Sequence, residues 1–106
     1  MSLKWPNKDP NELLDYSLDW SRFLRTGEYL ISSEWFLVDT TGATVTFGIG
    51  NTVDGLTNVS TTNSSSIASI NLSGGIKNKQ YKLICRIELN SNFIAERSVI
   101  LPIKER

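Results

Sequence analysis

The side chains that could perform chemistry in this sequence are few. The chain contains no histidine and a single cysteine, Cys85. Without histidine it lacks the residue that most often acts as a general base, activates a nucleophile or ligates zinc. A lone cysteine cannot close a disulfide within the chain, so we expect the fold to depend on a packed core. These observations argue against an enzyme, a zinc centre and a disulfide scaffold.

Four acidic residues near the N-terminus form the densest group of possible ligands or acid–base catalysts: Asp9, Glu12, Asp15 and Asp19. Asp15 and Asp19 fall on the outer face of a predicted strand and lie about 13 Å apart along it. That separation is too great for the carboxylate pair of a retaining glycosidase. The run also lacks the spacing of a calcium-binding loop. We interpret it as a solvated face and predict no catalytic site, no metal and no cofactor.

Two further features have a chemical interpretation and a structural one. Cys85 occupies an inward position of a predicted strand, where a thiol serves as a small core side chain. Ser73-Gly74-Gly75 could suggest a phosphate-binding loop, but such a loop requires a following helix. A strand is predicted after it, so we interpret this tripeptide as a turn.

The elements that must position these residues are predicted to be strands. Leu14–Trp20 and Tyr81–Leu89 alternate apolar and polar residues, which is the pattern of a half-buried strand. Gly-rich turns and β-branched segments predict about seven short strands in all. Their ranges are 14–20, 29–38, 44–49, 56–62, 66–72, 81–89 and 93–103.

This series of strands predicts an all-β fold, an immunoglobulin-like β-sandwich of about seven strands. A barrel of five or six strands is the alternative. Tyr81, which opens a strand after the Gly-Gly turn, is typical of a tyrosine corner. We expect the inward side of the last strand to include Phe93.

Length and charge limit the kinds of partner. The 106 residues suit a single domain, and 11 basic residues balance 11 acidic ones. A neutral chain is not expected to bind nucleic acid or a membrane surface through bulk basicity. No apolar run reaches the ~18 residues of a membrane span, and the first ten residues lack the apolar stretch of a secretory signal. We expect the protein to be made in a cytoplasm.

The first ten residues are predicted to form an extended N-terminal arm, followed by one sandwich domain over residues 11–106. Pro6 and Pro10 disfavour helix in this arm. Trp5 either folds back on its own sandwich or docks into a neighbour as an interface residue. Between Thr40 and Ile76 the only charged residue is Asp54, so this stretch forms a Thr/Ser-rich sheet face or packs against another subunit.

The sequence resembles a family of small tailed-bacteriophage virion proteins, the fibre–tail adaptor or head–tail neck accessory family. The resemblance covers nearly the whole chain, and its N-terminal motif is the most specific part. The chain differs from the family pattern between Asp39 and Asn51, where it is longer. The residues that carry the resemblance are Lys4-Trp5-Pro6-x-Lys8-Asp9-Pro10-x-Glu12-x-Leu14-Asp15-Tyr16-x-Leu18-Asp19-Trp20-Ser21, then Ile31-Ser32-Ser33-x-Trp35, Gly55-Leu56-Thr57, Leu72-Ser73-Gly74-Gly75, Tyr81, Glu96-Arg97-Ser98 and Leu101-x-Ile103.

The resemblance implies a non-enzymatic structural component of a virion, made in the host cytoplasm. Its implied partners are other tail or neck proteins and tail fibres, which it would connect as a homo-oligomeric ring, with no nucleic acid and no membrane. It implies a protein interface at the motif positions Trp5, Pro6, Asp9 and Pro10. The alternative function is a stand-alone carbohydrate- or peptide-binding module, with Trp35 and Phe36 as an aromatic platform.

Overall fold

A computed structural model of the chain describes residues 3–105. Within this range the chain forms nine β-strands and no helix, so it includes no helix with the length and apolarity to cross a membrane. The strands are β1 (Leu3–Lys4), β2 (Leu13–Asp19), β3 (Leu30–Val38), β4 (Thr44–Thr46), β5 (Thr52–Val53), β6 (Leu56–Asn63), β7 (Ile67–Gly74), β8 (Gln80–Leu89) and β9 (Ile94–Pro102).

The strands form two sheets that pack face to face. One sheet has the order β1-β9-β8-β3-β4 and the other has the order β2-β7-β6-β5. All strand pairs are antiparallel except β1 with β9, which are parallel. The all-β sandwich prediction is confirmed, and the barrel alternative is wrong because the two sheets are separate. The two strands beyond the predicted seven are the two-residue strands β1 and β5.

Alternating side chains from both sheets fill the core. In β8 every second residue from Tyr81 to Leu89 is buried, and β2 contributes Tyr16 and Leu18. This follows from the period-two geometry of a strand with one face against a second layer. The buried apolar residues are Trp5, Tyr16, Leu18, Trp20, Leu30, Trp35, Leu37, Phe47, Leu56, Ala68, Ile70, Leu72, Tyr81, Leu83, Cys85, Ile87, Leu89, Val99, Leu101 and Ile103.

Strand β3 changes phase at a bulge between Leu30 and Ser32. Leu30 and Trp35 are both buried although an odd number of steps separates them, because the bulge inserts a residue and turns Ile31 outward. The bend predicted at Ser32-Ser33 therefore lies close to the observed irregularity. Beyond it, Trp35 and Leu37 share the inner face as predicted.

The predicted tyrosine corner is present. The Tyr81 hydroxyl accepts a hydrogen bond from the Ile76 backbone N–H at 3.0 Å and donates to the Asp54 carbonyl at 2.5 Å. Asp54 and Gly55 have positive φ values of 49° and 86° and form the tight turn between β5 and β6. The tyrosine thereby fixes this hairpin to the start of β8.

Residues 3–8 of the N-terminal arm lie along their own sandwich. The backbone N–H of Trp5 donates to the carbonyl of Ile100 at 2.8 Å, and the N–H of Lys8 donates to that of Pro102 at 3.0 Å. Of the two alternatives for Trp5, the structure has the indole folded back into the core, 8% exposed. Met1 and Ser2, the first residues of the predicted arm, lie outside the described residues.

Candidate functional site

Large apolar side chains are concentrated at one end of the sandwich. The connection from β2 to β3 (residues 20–29) meets the turn from β8 to β9 (residues 90–93) there. We call this surface the apolar end. Its members are between 45% and 63% exposed, and they are Phe23, Tyr29, Ile31, Phe93 and Ile94.

A groove of about 420 Å³ opens in the apolar end. The guanidinium of Arg25 lies 4.6 Å from the centre of the Phe93 ring, which is the geometry of a cation–π contact. The Phe23 ring packs edge-on against buried Trp20, with ring centroids 5.6 Å apart. The groove is lined by Phe23, Arg25, Glu28, Leu89, Phe93 and Ile94.

Hydrogen bonds hold the two loops of the apolar end in place. Arg25 donates two side-chain hydrogen bonds to the carboxylate of Glu28, at 3.0 and 2.8 Å, and its backbone N–H donates a third at 2.8 Å. Ser91 donates to the same carboxylate from the other loop at 2.7 Å. These hydrogen bonds, chiefly those from the Arg25 side chain, lower the pKa of Glu28 to about 2.

Asn90 makes a second link between the loops. Its side-chain oxygen accepts from the Tyr29 N–H at 2.9 Å, and its amide nitrogen donates to the Gly27 carbonyl at 3.0 Å. Phe23, Tyr29 and Phe93 therefore lie on loops fixed by polar contacts, and Ile31 and Ile94 lie in the strands that adjoin these loops. A rigid apolar surface of this kind loses little conformational entropy when it binds another protein.

Cys85 and the carboxylates of β2 lie in different environments. Cys85 is buried, and burial raises the pKa of its thiol to about 12, so the thiol stays protonated at neutral pH. Asp15 and Asp19 lie on the exposed face of β2. Over residues 3–105, no three acidic or cysteine side chains come together as potential metal ligands.

The four residues of the predicted protein interface do not form one exposed patch. Trp5 is buried, whereas Pro6 is exposed. Asp9 and Pro10 are half-buried in the turn that precedes β2. The loops of the apolar end follow β2 and β8, so these two residues are not part of them. The interface prediction for these positions remains a prediction.

Two predictions about aromatic residues are wrong. Phe93 was expected to face the core but is 55% exposed. It lies just before the first residue of β9, where the opposite sheet no longer covers it. The platform of Trp35 and Phe36 is absent, because Trp35 is buried and Arg86 lies 4.8 Å above the half-buried Phe36 ring. Sequence periodicity did not reveal the apolar end, whose residues lie mostly in loops.

The outer face of the β2-β7-β6-β5 sheet is rich in hydroxyl and amide groups. Its strands are linked by side-chain hydrogen bonds between Ser17 and Ser69, at 2.8 Å, and between Thr52 and Thr57, at 2.7 Å. Asn71 donates to Ser60 in the same way at 2.8 Å. The uncharged stretch of the sequence thus forms a Thr/Ser-rich sheet face, one of its two predicted roles.

Comparisons with known proteins identify a family. A family model described as podophage GP4 fiber-tail adaptor protein gp77 matches residues 8–102. Among solved structures, the solution structure of the PKD domain from KIAA 1837 protein is similar, with 19% identity and a TM-score of 0.48, over 96% of this chain and 83% of that chain. No curated protein gives a significant match. Because the family model spans most of the sequence, this chain belongs to the podophage GP4 fiber-tail adaptor family.

Proposed function

We propose that this chain is a non-enzymatic structural component of a tailed-phage virion. It is an adaptor at the neck or tail that connects the tail to its fibres, and it works as a symmetric ring of identical copies. Its partners are other tail or neck proteins and tail fibres, and it is made in the host cytoplasm before it joins the virion. The match of the fiber-tail adaptor family model to residues 8–102 carries this proposal.

The apolar end suits contact with a tail or fibre protein. Phe93 and Ile94 are 55% and 63% exposed in one continuous patch with Phe23. Contiguous exposed apolar surface on a small domain usually marks a protein contact, and aromatic residues dominate the energetics of such contacts. The hydrogen bonds that fix both loops support the same role, because they order the surface before it binds.

Two other surfaces suit contact between copies of the adaptor. Strands β5, β6 and β7 contribute no charged side chain to the Thr/Ser-rich sheet face, so identical copies would not repel one another across that part of it. The arm positions Trp5, Pro6, Asp9 and Pro10 form the second proposed interface. Ring assembly also allows weak contacts to act together, since each added copy raises the effective concentration for the next.

The test is complementation of a phage that lacks this gene. We expect particles from the deletion phage to have tails without fibres, and the wild-type gene to restore the fibres. The Ile94→Ser variant is expected not to restore the fibres. Ile49→Ser is the matched control, because Ile49 is 64% exposed and lies outside the apolar end.

Electron microscopy of the particles and their infectivity give the readout. Fibre loss with Ile94→Ser but not with Ile49→Ser supports the apolar end as the partner contact. Normal fibres with both variants would show that the partner binds elsewhere. Normal fibres on the deletion phage itself would overturn the adaptor function.

A further inference from the structure

Strand β6 has a free edge in its second half. Strand β5 pairs with β6 only over residues 56–57, and the Gly50 N–H donates to the Asn58 carbonyl at 2.7 Å. After a bulge between Asn58 and Ser60, the segment 60–63 pairs with β7 on one side. On its other side it has no backbone hydrogen bond to any part of residues 3–105.

The register identifies the backbone groups on this free edge. Antiparallel strands alternate between hydrogen-bonded and non-hydrogen-bonded pairs. The Ser64 N–H donates to the Ile67 carbonyl at 2.8 Å, and the register makes Thr62 the next residue bonded to β7. The N–H and C=O groups of Thr61 and Asn63 therefore point away from β7. They offer two donors and two acceptors, with the two residues about 6.8 Å apart.

A second free edge faces this segment from the other sheet. Strand β4 pairs with β3 only over residues 36–38, and the Phe47 N–H donates to the Trp35 carbonyl at 3.0 Å. Ser33 is the next residue of β3 with the same backbone orientation. Its hydroxyl donates to the side-chain oxygen of Asn63 at 3.4 Å. The short strands β4 and β5 thus leave one side of the sandwich open between β3 and β6.

A cleft of about 220 Å³ lies on this open side. Its floor includes Trp35, Phe47 and Asn58, each at most 2% exposed. The Asn58 amide nitrogen donates to the Phe47 carbonyl at 2.8 Å, but its side-chain oxygen has no hydrogen-bond partner within residues 3–105. The indole N–H of Trp35 has none within that range either. Unpaired buried polar groups cost free energy, so the cleft favours a ligand that pairs with both.

The long edge on the opposite side of the same sheet is protected, whereas the free part of β6 is not. On β2, the indole N–H of Trp5 donates to the Ser17 carbonyl at 3.3 Å, and Asp15 and Asp19 place charges along the strand. Charged side chains deter the pairing of an edge with another strand. Strand β6 contains no charged residue and no proline. An uncharged strand would therefore meet no repulsion from β6.

We infer that an extended, uncharged segment of another virion protein adds to β6 as a new strand, paired with the backbone of Thr61 and Asn63. The inference rests on the proposed function, since the partner is a tail or fibre protein. An added strand takes its affinity from main-chain hydrogen bonds and its specificity from side chains that enter pockets. The side chain that fits this cleft is a carboxamide, which accepts from the Trp35 indole and donates to the Asn58 oxygen.

Hydrogen–deuterium exchange of the wild-type chain, isolated and within purified virions, tests the added strand. Mass spectrometry with electron-transfer fragmentation resolves single amides. We expect the N–H groups of Thr61 and Asn63 to exchange about tenfold more slowly in virions. The N–H of Lys77, in the exposed turn before β8, is the control and should exchange equally fast in both samples. Equal rates for Thr61 and Asn63 would overturn the inference and leave the adaptor function intact.

A proline variant tests whether the edge is paired rather than merely covered. Thr61→Pro removes the outward N–H and leaves the hydrogen bonds between β6 and β7 in place, since an edge strand accepts proline in this orientation. Thr61→Val is the matched control, because it keeps the branched shape and every backbone group. We expect about tenfold fewer copies of Thr61→Pro than of Thr61→Val per virion.

Urea unfolding of the two isolated variants shows whether each folds. If Thr61→Pro does not fold, the exchange rates of the wild type decide the question. Slow exchange in virions combined with normal incorporation of folded Thr61→Pro would mean that the edge is covered without being paired, and would overturn the inference.

A photo-reactive benzoylphenylalanine at position 59 identifies the occupant. Val59 is 40% exposed and lies beside the free edge. Cross-linking in virions to an uncharged segment of another virion protein supports the inference, whereas cross-linking to β6 of a second copy overturns it. Absence of the wild-type chain from virions would overturn the adaptor function, and the inference with it.

Discussion

The indole of Trp5 stacks on the phenol ring of Tyr16, with centroids 4.7 Å apart and planes inclined by 25°. This contact joins the N-terminal arm, which pairs with β9 in one sheet, to β2 in the other sheet. The arm therefore contributes to the core as well as to the edge of the sandwich.

Trp5→Ala is expected to destabilise the protein by about 3–5 kcal/mol, because removal of a buried indole leaves a cavity beside Tyr16 and Trp35. Urea unfolding followed by circular dichroism measures the loss. Leu3→Ala is the control, since Leu3 is 43% exposed in the same arm and its truncation should cost less than about 1 kcal/mol. Equal stability of Trp5→Ala and the wild type would contradict the packing of the arm.

Tyr81→Phe is expected to cost about 1–3 kcal/mol of unfolding free energy. The change removes one hydroxyl, so the Asp54 carbonyl loses a donor and the Ile76 N–H loses an acceptor. Chemical denaturation checks this loss. The matched control is Tyr29→Phe, because Tyr29 is exposed at the apolar end and its change should leave stability unaltered. Similar stability of the two variants would show that the hydrogen bonds of the Tyr81 hydroxyl do not stabilise the fold.

The carboxyl group of Glu28 is expected to titrate with a pKa of about 2, below its ordinary value of 4.5. Because the folded state lowers this pKa, its stabilising contribution is complete above pH 4.5 and is lost as the pH falls through about 2. Carbon-detected NMR of the side-chain carboxyl measures the titration. In Arg25→Ala the pKa should rise toward the ordinary value. An unshifted Glu28 in the wild type would mean that the Arg25–Glu28 contact does not persist in solution.

Cys85 is expected to resist alkylation in the folded protein. Its thiol is buried and has a pKa of about 12, so neither access nor the reactive thiolate is available at neutral pH. Iodoacetamide labelling with and without denaturant, read by intact-mass spectrometry, tests this. We expect full labelling only in denaturant. Rapid labelling without denaturant would contradict the burial of Cys85 on the inner face of β8.

The fold was predictable from the sequence where one face of a strand is buried and the other is exposed. The alternation in β2 and β8 identified those strands and placed Tyr16, Leu18 and Cys85 inward. The tyrosine corner was predicted from Tyr81 and the Gly74-Gly75 pair before it. The turn predicted at Ser73-Gly74-Gly75 was misplaced, because Ser73 and Gly74 end strand β7 and the turn lies at residues 77–78. Strands β1 and β5 were missed because two residues are too few to show a period.

The candidate site was harder to predict because it depends on contacts between distant loops. Phe93 follows the inward parity of β9, yet it extends past the opposite sheet and lies under Arg25 instead. Phe23 lies near it because Asn90 and Glu28 tie the two loops together. The proposed arm interface came from a family motif. No pattern in the sequence distinguishes an arm that packs on its own sandwich from one that docks on another copy.

The most direct test of the adaptor function is quantitative mass spectrometry of purified virions of the phage that encodes this chain. We predict this protein in intact particles at a small, fixed number of copies per tail, such as about six or about twelve. Absence of the protein from particles that carry their full set of tail proteins would contradict the central claim.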